Sequence, residues 1–366
     1  MALADRVTRS ERSIPGAADR RAVAAWLFAC CAMIFVMLLI GGITRLTESG
    51  LSITEWQPIG GAVPPLGQAD WQSLFDQYRA SPQYAEINQG MDLAGFKTIF
   101  WWEYVHRLWG RLIGFVFLLP LLWFVARRRI PRALVPWLFL IFLLGGMQGA
   151  VGWWMVASGL DQGPWVSAYR LSLHLGFALL LYAAMLWLAL RLWRPPPRAG
   201  APAPFAIAGL GILLLAFVTI LAGGFVAGTH AGLIYNEFPT MGDGLVPPDY
   251  RNPALGFLRN AFENPAAIQL HHRILASTTL VTVLAFAAWL IARLPSLRGE
   301  ALALGAMVLL QFALGLSTLL LQVPLPLAVL HQAGAALLLT LAITAAERLT
   351  VRAGEFRSAE RHSLSR

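Results

Sequence analysis

The sequence predicts an all-α integral membrane protein, in which eight transmembrane helices form two tandem four-helix bundles related by a pseudo-two-fold axis. Its composition predicts the class: of the 366 residues, 57% are hydrophobic and only 13% are charged, against about 25% charged in an average soluble protein. This composition excludes a disordered or nucleic-acid-binding chain. A second observation, an internal repeat, predicts the division into two bundles.

Eight apolar stretches are each long enough to cross a hydrocarbon core, which is about 30 Å thick and takes about 20 helical residues. Because these stretches carry few charges, buried strands and soluble core helices do not account for them. In chain order the predicted spans are residues 22–43, 108–126, 134–157, 171–193, 205–228, 271–293, 301–321 and 327–346.

The charges of the connecting segments predict the orientation. Arginine supplies nearly all the positive charge, since Lys97 is the only lysine, and arginines collect in the N-terminal tail and after the second, fourth, sixth and eighth spans. An eight-span chain places all these segments on one side, which the positive-inside rule makes cytoplasmic. The outer side carries two long loops, 44–107 and 229–270. The N-terminal tail is partly acidic and lacks a cleavage pattern, so we expect a multi-pass protein of a bacterial inner membrane with both termini cytoplasmic.

The repeat consists of five pairs of segments that occur in the same order on either side of a Pro-rich stretch, 194–204. Five ordered matches are hard to produce by chance. The matched pairs are Gly41–Leu51 with Gly223–Leu233, Val63-Pro64-Pro65 with Val246-Pro247-Pro248, Glu103–Arg107 with Gln269–Arg273, Gln148–Gly152 with Gln311–Gly315, and Leu173-His174 with Leu330-His331.

Each repeat unit has four helices, an even number, so the two units have the same orientation and a pseudo-two-fold axis along the membrane normal. We refer to residues 22–193 as the first half and to residues 205–346 as the second half. The remaining predicted segments are a cytoplasmic tail, a Pro-rich cytoplasmic linker and a second cytoplasmic tail, at residues 1–21, 194–204 and 347–366.

Four of the seven histidines occupy matched positions: His106 and His174 in the first half, His272 and His331 in the second. Each pair reaches the same depth near the outer face from neighbouring helices, where two imidazoles can provide the axial ligands of a haem iron. A polar contact at the interface explains a single histidine more simply. Two pairs in register favour ligands, because intramembrane ionisable residues are costly. A zinc site lacks further ligands in either half.

Arg107 and Arg273 directly follow two of these histidines at the predicted outer interface. A guanidinium there can pair with haem propionates. Snorkelling of the side chain to the interface is the alternative explanation. The other three histidines, His230, His271 and His362, lie outside the matched pattern.

Two motifs resemble signatures of the haem A synthase family. The first is the run Gly41–Ser52 followed by Trp56-Gln57-Pro58, and the second is Trp102–Arg107, which contains Glu103 and His106. The resemblance covers almost the whole chain apart from the tails. Some members carry a cysteine pair in the outer loops. Here the only cysteines are Cys30 and Cys31, adjacent in the first span, so the chain resembles the branch that lacks the pair.

The resemblance implies an oxidoreductase that converts haem O to haem A, by oxidising a ring methyl group to a formyl group through successive hydroxylations and loss of water. It implies that His272 and His331 hold a haem b cofactor, while His106 and His174 belong to the half that receives haem O. Haem O synthase is then an expected partner, because haem O is too apolar to cross water freely, and a homo-oligomer is compatible with this function. The alternative is a bis-His transmembrane di-haem electron-transfer cytochrome.

One break in the repeat distinguishes the halves. Glu103 and Gln269 each precede a histidine by three residues and so share its helical face. A carboxylate can accept a proton or stabilise a positive intermediate, whereas a neutral amide does neither well. We therefore expect Glu103, His106 and His174 to be the catalytic residues, with a salt bridge from Glu103 to Arg107 as the alternative role.

Overall fold

The computed structural model describes residues 16–57, 60–161, 163–194 and 202–364, which form eleven α-helices and no strand. The predicted N-terminal tail and Pro-rich linker fall largely outside the described residues. In chain order the helices are α1 (Ala17–Leu46), α2 (Gln68–Arg79), α3 (Pro82–Glu86), α4 (Leu93–Ala126), α5 (Val135–Asp161), α6 (Ala168–Trp193), α7 (Ala203–Gly228), α8 (Phe257–Glu263), α9 (Pro265–Arg293), α10 (Arg298–Leu320) and α11 (Leu325–Leu364).

Eight of these helices are long and apolar enough to cross a membrane: α1, α4, α5, α6, α7, α9, α10 and α11. The predicted all-α, eight-span membrane fold is therefore confirmed. Three further helices, α2, α3 and α8, lie in the two long outer segments, which the hydropathy pattern alone assigned to loops.

The helix α4 begins at Leu93, well before the predicted span at about residue 108. The Asp92 carboxylate caps it by accepting a hydrogen bond from the Gly95 backbone N–H at 2.8 Å. The extension then buries Phe96 and Phe100 against α2, where both are at most 3% exposed. Hydropathy marks only the part of a helix that lies in lipid, so this packed outer extension was missed.

Within each half, four membrane-crossing helices pack in a ring. The first ring runs α1, α4, α5, α6 and back to α1, and the second runs α7, α9, α10, α11 and back to α7. Between the halves, α6 packs on α7, α11 packs on α1, and α6 packs on α11. A two-fold operation that exchanges the halves maps this set of contacts onto itself, which is the arrangement that two parallel repeats require.

Two matched residues illustrate this symmetry at the interface between the halves. Gln332 of α11 lies against Gly42 of α1 and donates a hydrogen bond to the Leu38 carbonyl at 2.5 Å. Leu175, the matched residue of α6, lies against Gly224 of α7. Glycine at both positions removes the side chain that would otherwise keep the helices apart.

The inner ends of the halves are joined by a buried carboxylate. Glu347 of α11 is 3% exposed and lies 3.3 Å from the Arg194 guanidinium and 3.7 Å from that of Arg191 at the end of α6. Since a buried charge is costly unless it is paired, these ion pairs tie the C-terminal helix to the arginine-rich segment after the fourth span.

Candidate functional site

Each of the four matched histidines lies in the N-terminal half of its helix, with its ring directly against a glycine of the preceding membrane-crossing helix. A methyl group on any of these glycines would stand 2.7–3.2 Å from a ring atom, closer than carbon atoms normally approach. The glycines therefore make room for the imidazoles. The four contacts pair His106 with Gly41, His174 with Gly152, His272 with Gly223, and His331 with Gly315.

Within each half the two imidazoles lie in the same ring of helices, each against a glycine of that ring. All four side chains remain half-buried although they lie deep among the helices. The Nδ1 atom of His174 is buried and has no hydrogen-bond partner among the described residues.

This donor set fits a porphyrin iron. Two neutral imidazoles in one ring of helices are the ligands that a bis-histidine haem takes. The structure thus places the residues that the repeat pattern paired in the same ring of helices in each half.

Glu103 is buried, at 3% exposed, and all its contacts lie within the first half. Its Oε1 forms an ion pair with Arg107 at 2.6 Å. The salt bridge that the sequence offered as an alternative role for Glu103 is therefore present. Its Oε2 accepts hydrogen bonds from the Ser52 hydroxyl at 2.7 Å and the Ile53 backbone N–H at 2.8 Å. The carboxylate therefore holds the start of the first outer loop on the helix that carries His106.

Arg107 extends the same attachment by donating to the backbone carbonyls of Ile53 at 2.8 Å and Glu55 at 2.9 Å. Its guanidinium also lies over the ring of Trp153, 5.8 Å from the centroid. The residue thus joins the outer loop, the histidine helix α4 and helix α5. Arg107 thus makes defined hydrogen bonds to the loop, which simple snorkelling of its side chain to the interface would not require.

The second half uses the matched residues in the same way. Gln269 donates a hydrogen bond to the Tyr235 carbonyl at 2.9 Å, and Arg273 donates to Tyr235 at 2.7 Å and to Thr240 at 3.0 Å. The second outer loop is therefore held on α9 beside His272. The Gln269 Oε1 and the Arg273 Nε are buried and unpaired within the described part of the chain.

His271 and His230, which lie outside the matched histidine pattern, have other contacts. His271 meets the Tyr250 hydroxyl at 3.2 Å, in the second outer loop. His230 follows α7 and accepts a hydrogen bond at Nε2 from the Arg45 guanidinium, at 2.9 Å, across the interface between the halves. Sequence reasoning missed this contact, although the aligned runs already matched His230 with Glu48 of the first half.

Glu48 and His230 face one another at this outer junction. Both have φ near 55°, the left-handed conformation that ends many helices, and the Glu48 Oε1 lies 4.0 Å from the His230 Nε2. Arg45 also donates to the Ala227 carbonyl at 2.7 Å, and the Trp165 ring packs on His230 with 4.4 Å between centroids. These residues connect α1 to α7 just outward of both histidine pairs.

Acidification should weaken this junction. Burial, and secondarily the positive charge of Arg45, lowers the pKa of His230 to about 4, below the ordinary value of about 6.5. The unfolded chain therefore binds a proton at His230 more readily than the folded chain does. The stability that neutral His230 provides is lost as the pH falls from about 6.5 to about 4. We expect a lower thermal unfolding temperature in detergent at pH 5 than at pH 7.

His230→Asn should flatten this pH dependence, because asparagine tolerates the left-handed conformation and does not titrate. Burial raises the pKa of Glu48, although the charge of Arg45 opposes this shift. As the pH falls, Glu48 therefore changes the stability in the opposite direction to His230, but it is present in both the parent and His230→Asn. Parallel pH profiles for the parent and His230→Asn would exclude His230 as the source.

Comparisons with known proteins agree on one family. The family of cytochrome oxidase assembly proteins designated COX15-CtaA matches residues 24–343. The chain is 51% identical to a heme A synthase of Granulibacter bethesdensis, over 90% of this chain and 87% of that protein. It is 49% identical to a heme A synthase of Nitrosospira multiformis (89% and 93% covered). It is 45% identical to a heme A synthase of Nitrosomonas eutropha (94% and 99% covered).

Proposed function

The chain belongs to the COX15-CtaA family of cytochrome oxidase assembly proteins, its function is that of a haem A synthase, and we propose that its two halves divide the work. The first half binds haem O as the substrate, and the second half holds haem b as a permanent cofactor. The observation that carries this proposal is the duplicated site: two histidine pairs at matched positions, each imidazole seated against a glycine.

In the second half, His272 and His331 would be the axial ligands of haem b. A haem iron, when bound there, supplies the redox chemistry that C–H oxidation requires and that amino-acid side chains lack. In the first half, His106 and His174 would hold the iron of haem O and so orient one ring methyl group for oxidation to a formyl group. Fixing the substrate in a single orientation removes much of the entropy cost of reaction.

Glu103 is proposed as the acidic group of the first site. It shares a helical face with His106, and its repeat counterpart, Gln269, is neutral. Its Oε1 remains paired with Arg107, while its Oε2 is held by the Ser52 hydroxyl and the Ile53 amide. A proton released near this face would be received at Oε2, beside a hydroxyl that can pass it toward the outer loop.

Arg107 and Arg273 are proposed to face the propionate edges of the two haems. Each follows an axial-ligand candidate and already ties an outer loop to the histidine helix, so its guanidinium stands at the outer rim of its site. Arg107 keeps one N–H of Nη1 and Arg273 keeps its Nε–H for a charge-assisted hydrogen bond to a propionate.

The chain is a multi-pass membrane protein, and we propose that it lies in a bacterial inner membrane. Both termini would then be cytoplasmic, on the side of the arginine-rich segments, and the haem sites would lie toward the periplasmic face. Haem O synthase is the proposed partner, since direct transfer avoids moving an apolar haem through water.

A haem-composition experiment tests the activity. Membranes of a host that makes haem O but no haem A would be prepared with and without this chain, and their haems extracted and chromatographed. We expect haem A to appear, and haem O to decline, only when the chain is present. Unchanged haem composition, together with a bis-histidine spectrum, would instead support the di-haem electron-transfer cytochrome.

A further inference from the structure

The side-chain amide of Gln311 on α10 contacts the imidazole of His331. Its nitrogen lies 3.1 Å from His331 Nδ1 and 3.0 Å from the His331 carbonyl oxygen. A single side chain thus holds both the ring and the backbone of one proposed haem ligand.

The matched glutamine of the first half makes only one of these contacts. Gln148 on α5 donates to the His174 carbonyl at 2.9 Å, and His174 Nδ1 is left buried without a hydrogen-bond partner in the described structure. The two sites therefore differ in how firmly the second imidazole is held, although both contain the same glutamine and histidine.

A sequence difference three residues after each histidine explains this asymmetry. In the second half the position is Gly334, and the Oε1 of Gln311 occupies the space where a Cβ on Gly334 would stand. In the first half the corresponding residue is Phe177. Only in the second half does the helix that carries the histidine have a glycine at this position. Its missing side chain leaves a recess for the glutamine amide, one turn after the ligand.

We propose that Gln311 is a positioning residue for His331, admitted by Gly334, and that it makes the second site the one that retains its haem. The first site lacks this hydrogen bond, so Nδ1 does not fix the plane of the His174 ring, and its haem would exchange more readily. This inference rests on the proposed function, and it supplies a reason for permanent binding in one half and turnover in the other.

The physical basis is the control that an outer hydrogen bond exerts on a metal-bound imidazole. A histidine that binds iron through Nε2 carries its proton on Nδ1, and a partner there fixes the ring plane and raises the basicity of the ligand. When the ring carries its proton on Nδ1, the Gln311 amide accepts that hydrogen bond through its oxygen, and its nitrogen then gives up the contact with the His331 carbonyl. Loss of such partners typically costs about 10–100-fold in metal affinity.

Two variants of the full-length purified protein test the proposal by different routes. Gln311→Leu removes the amide. Gly334→Ala leaves Gln311 in place but puts a methyl group where its Oε1 lies, and alanine favours the helix. The matched control is Gln148→Leu, which removes the corresponding glutamine of the first half.

The measurements are the rate of haem b transfer to excess apomyoglobin, the low-spin electron paramagnetic resonance spectrum and the reduction potential. For Gln311→Leu and Gly334→Ala we expect haem loss to accelerate about tenfold or more, with shifted g-values and a raised potential. Gln148→Leu should change none of the three. Wild-type retention and spectra in both second-half variants, or equal haem loss in Gln148→Leu, would overturn the inference.

The proposed function fails separately from this inference. If the parent protein shows no bis-histidine haem, or keeps it unchanged when His331 is replaced by alanine, then the assignment of haem b to the second half is wrong. If that haem is present and depends on His331 but not on Gln311 or Gly334, only the positioning role is wrong.

Discussion

Replacing His272 or His331 with alanine should leave a purified protein without its low-spin bis-histidine haem spectrum. Each residue would supply one of only two iron ligands, and each is seated against a glycine that offers no substitute donor. We expect haem content to fall by more than the roughly tenfold that loss of an outer hydrogen-bond partner typically costs, with any remaining haem high-spin. Visible spectroscopy and the ratio of extracted haem to protein measure the effect.

Matched variants separate this expectation from general damage. His271→Ala removes the neighbouring imidazole, whose contact is Tyr250 in the outer loop, and it should keep the haem. His106→Ala and His174→Ala should abolish haem A formation but leave the second-half haem largely in place. An unchanged low-spin spectrum in both His272→Ala and His331→Ala would show that haem b is held elsewhere.

Glu103→Gln should reduce haem A formation about 100-fold or more, the usual contribution of a positioned acid–base group, while the second-half haem remains bound. Glutamine preserves the volume and one acceptor oxygen but cannot receive a proton or neutralise Arg107. Haem A, haem O and hydroxylated intermediates in extracted membranes give the readout, and we expect haem O or an intermediate to accumulate.

The ion pair between Glu103 and Arg107 requires a second comparison, because loss of activity could follow from releasing the outer loop. If Glu103 acts only by holding Arg107 and the outer loop, then Arg107→Gln should be equally inactive, and the double variant should be no less active than either single variant. If Glu103 serves the reaction itself, Glu103→Gln should be much less active than Arg107→Gln. Glu263→Gln breaks an exposed pair of the same spacing, with Arg259, and should have no effect.

Much of the fold could be predicted because hydropathy reports directly on where a helix meets lipid. The eight spans and the fold class follow from long apolar runs, and the ordered matches between the halves identified all four seated histidines. The same matches included Gly152 and Gly315, but glycine is common in membrane helices, so nothing local indicated that each backs an imidazole.

The sequence by itself thus determined the fold class, the family resemblance and the histidine pairs, since apolar length, residue order and motifs are properties of the chain as written. Only the tertiary structure decided that Glu103 holds Ser52, that Arg45 meets His230 across the halves, and that Gln311 enters the recess at Gly334. These contacts join residues on different helices or loops, and they depend on the rotation and separation of packed helices. No local periodicity encodes that geometry, because it is set by all the side chains packed between the helices.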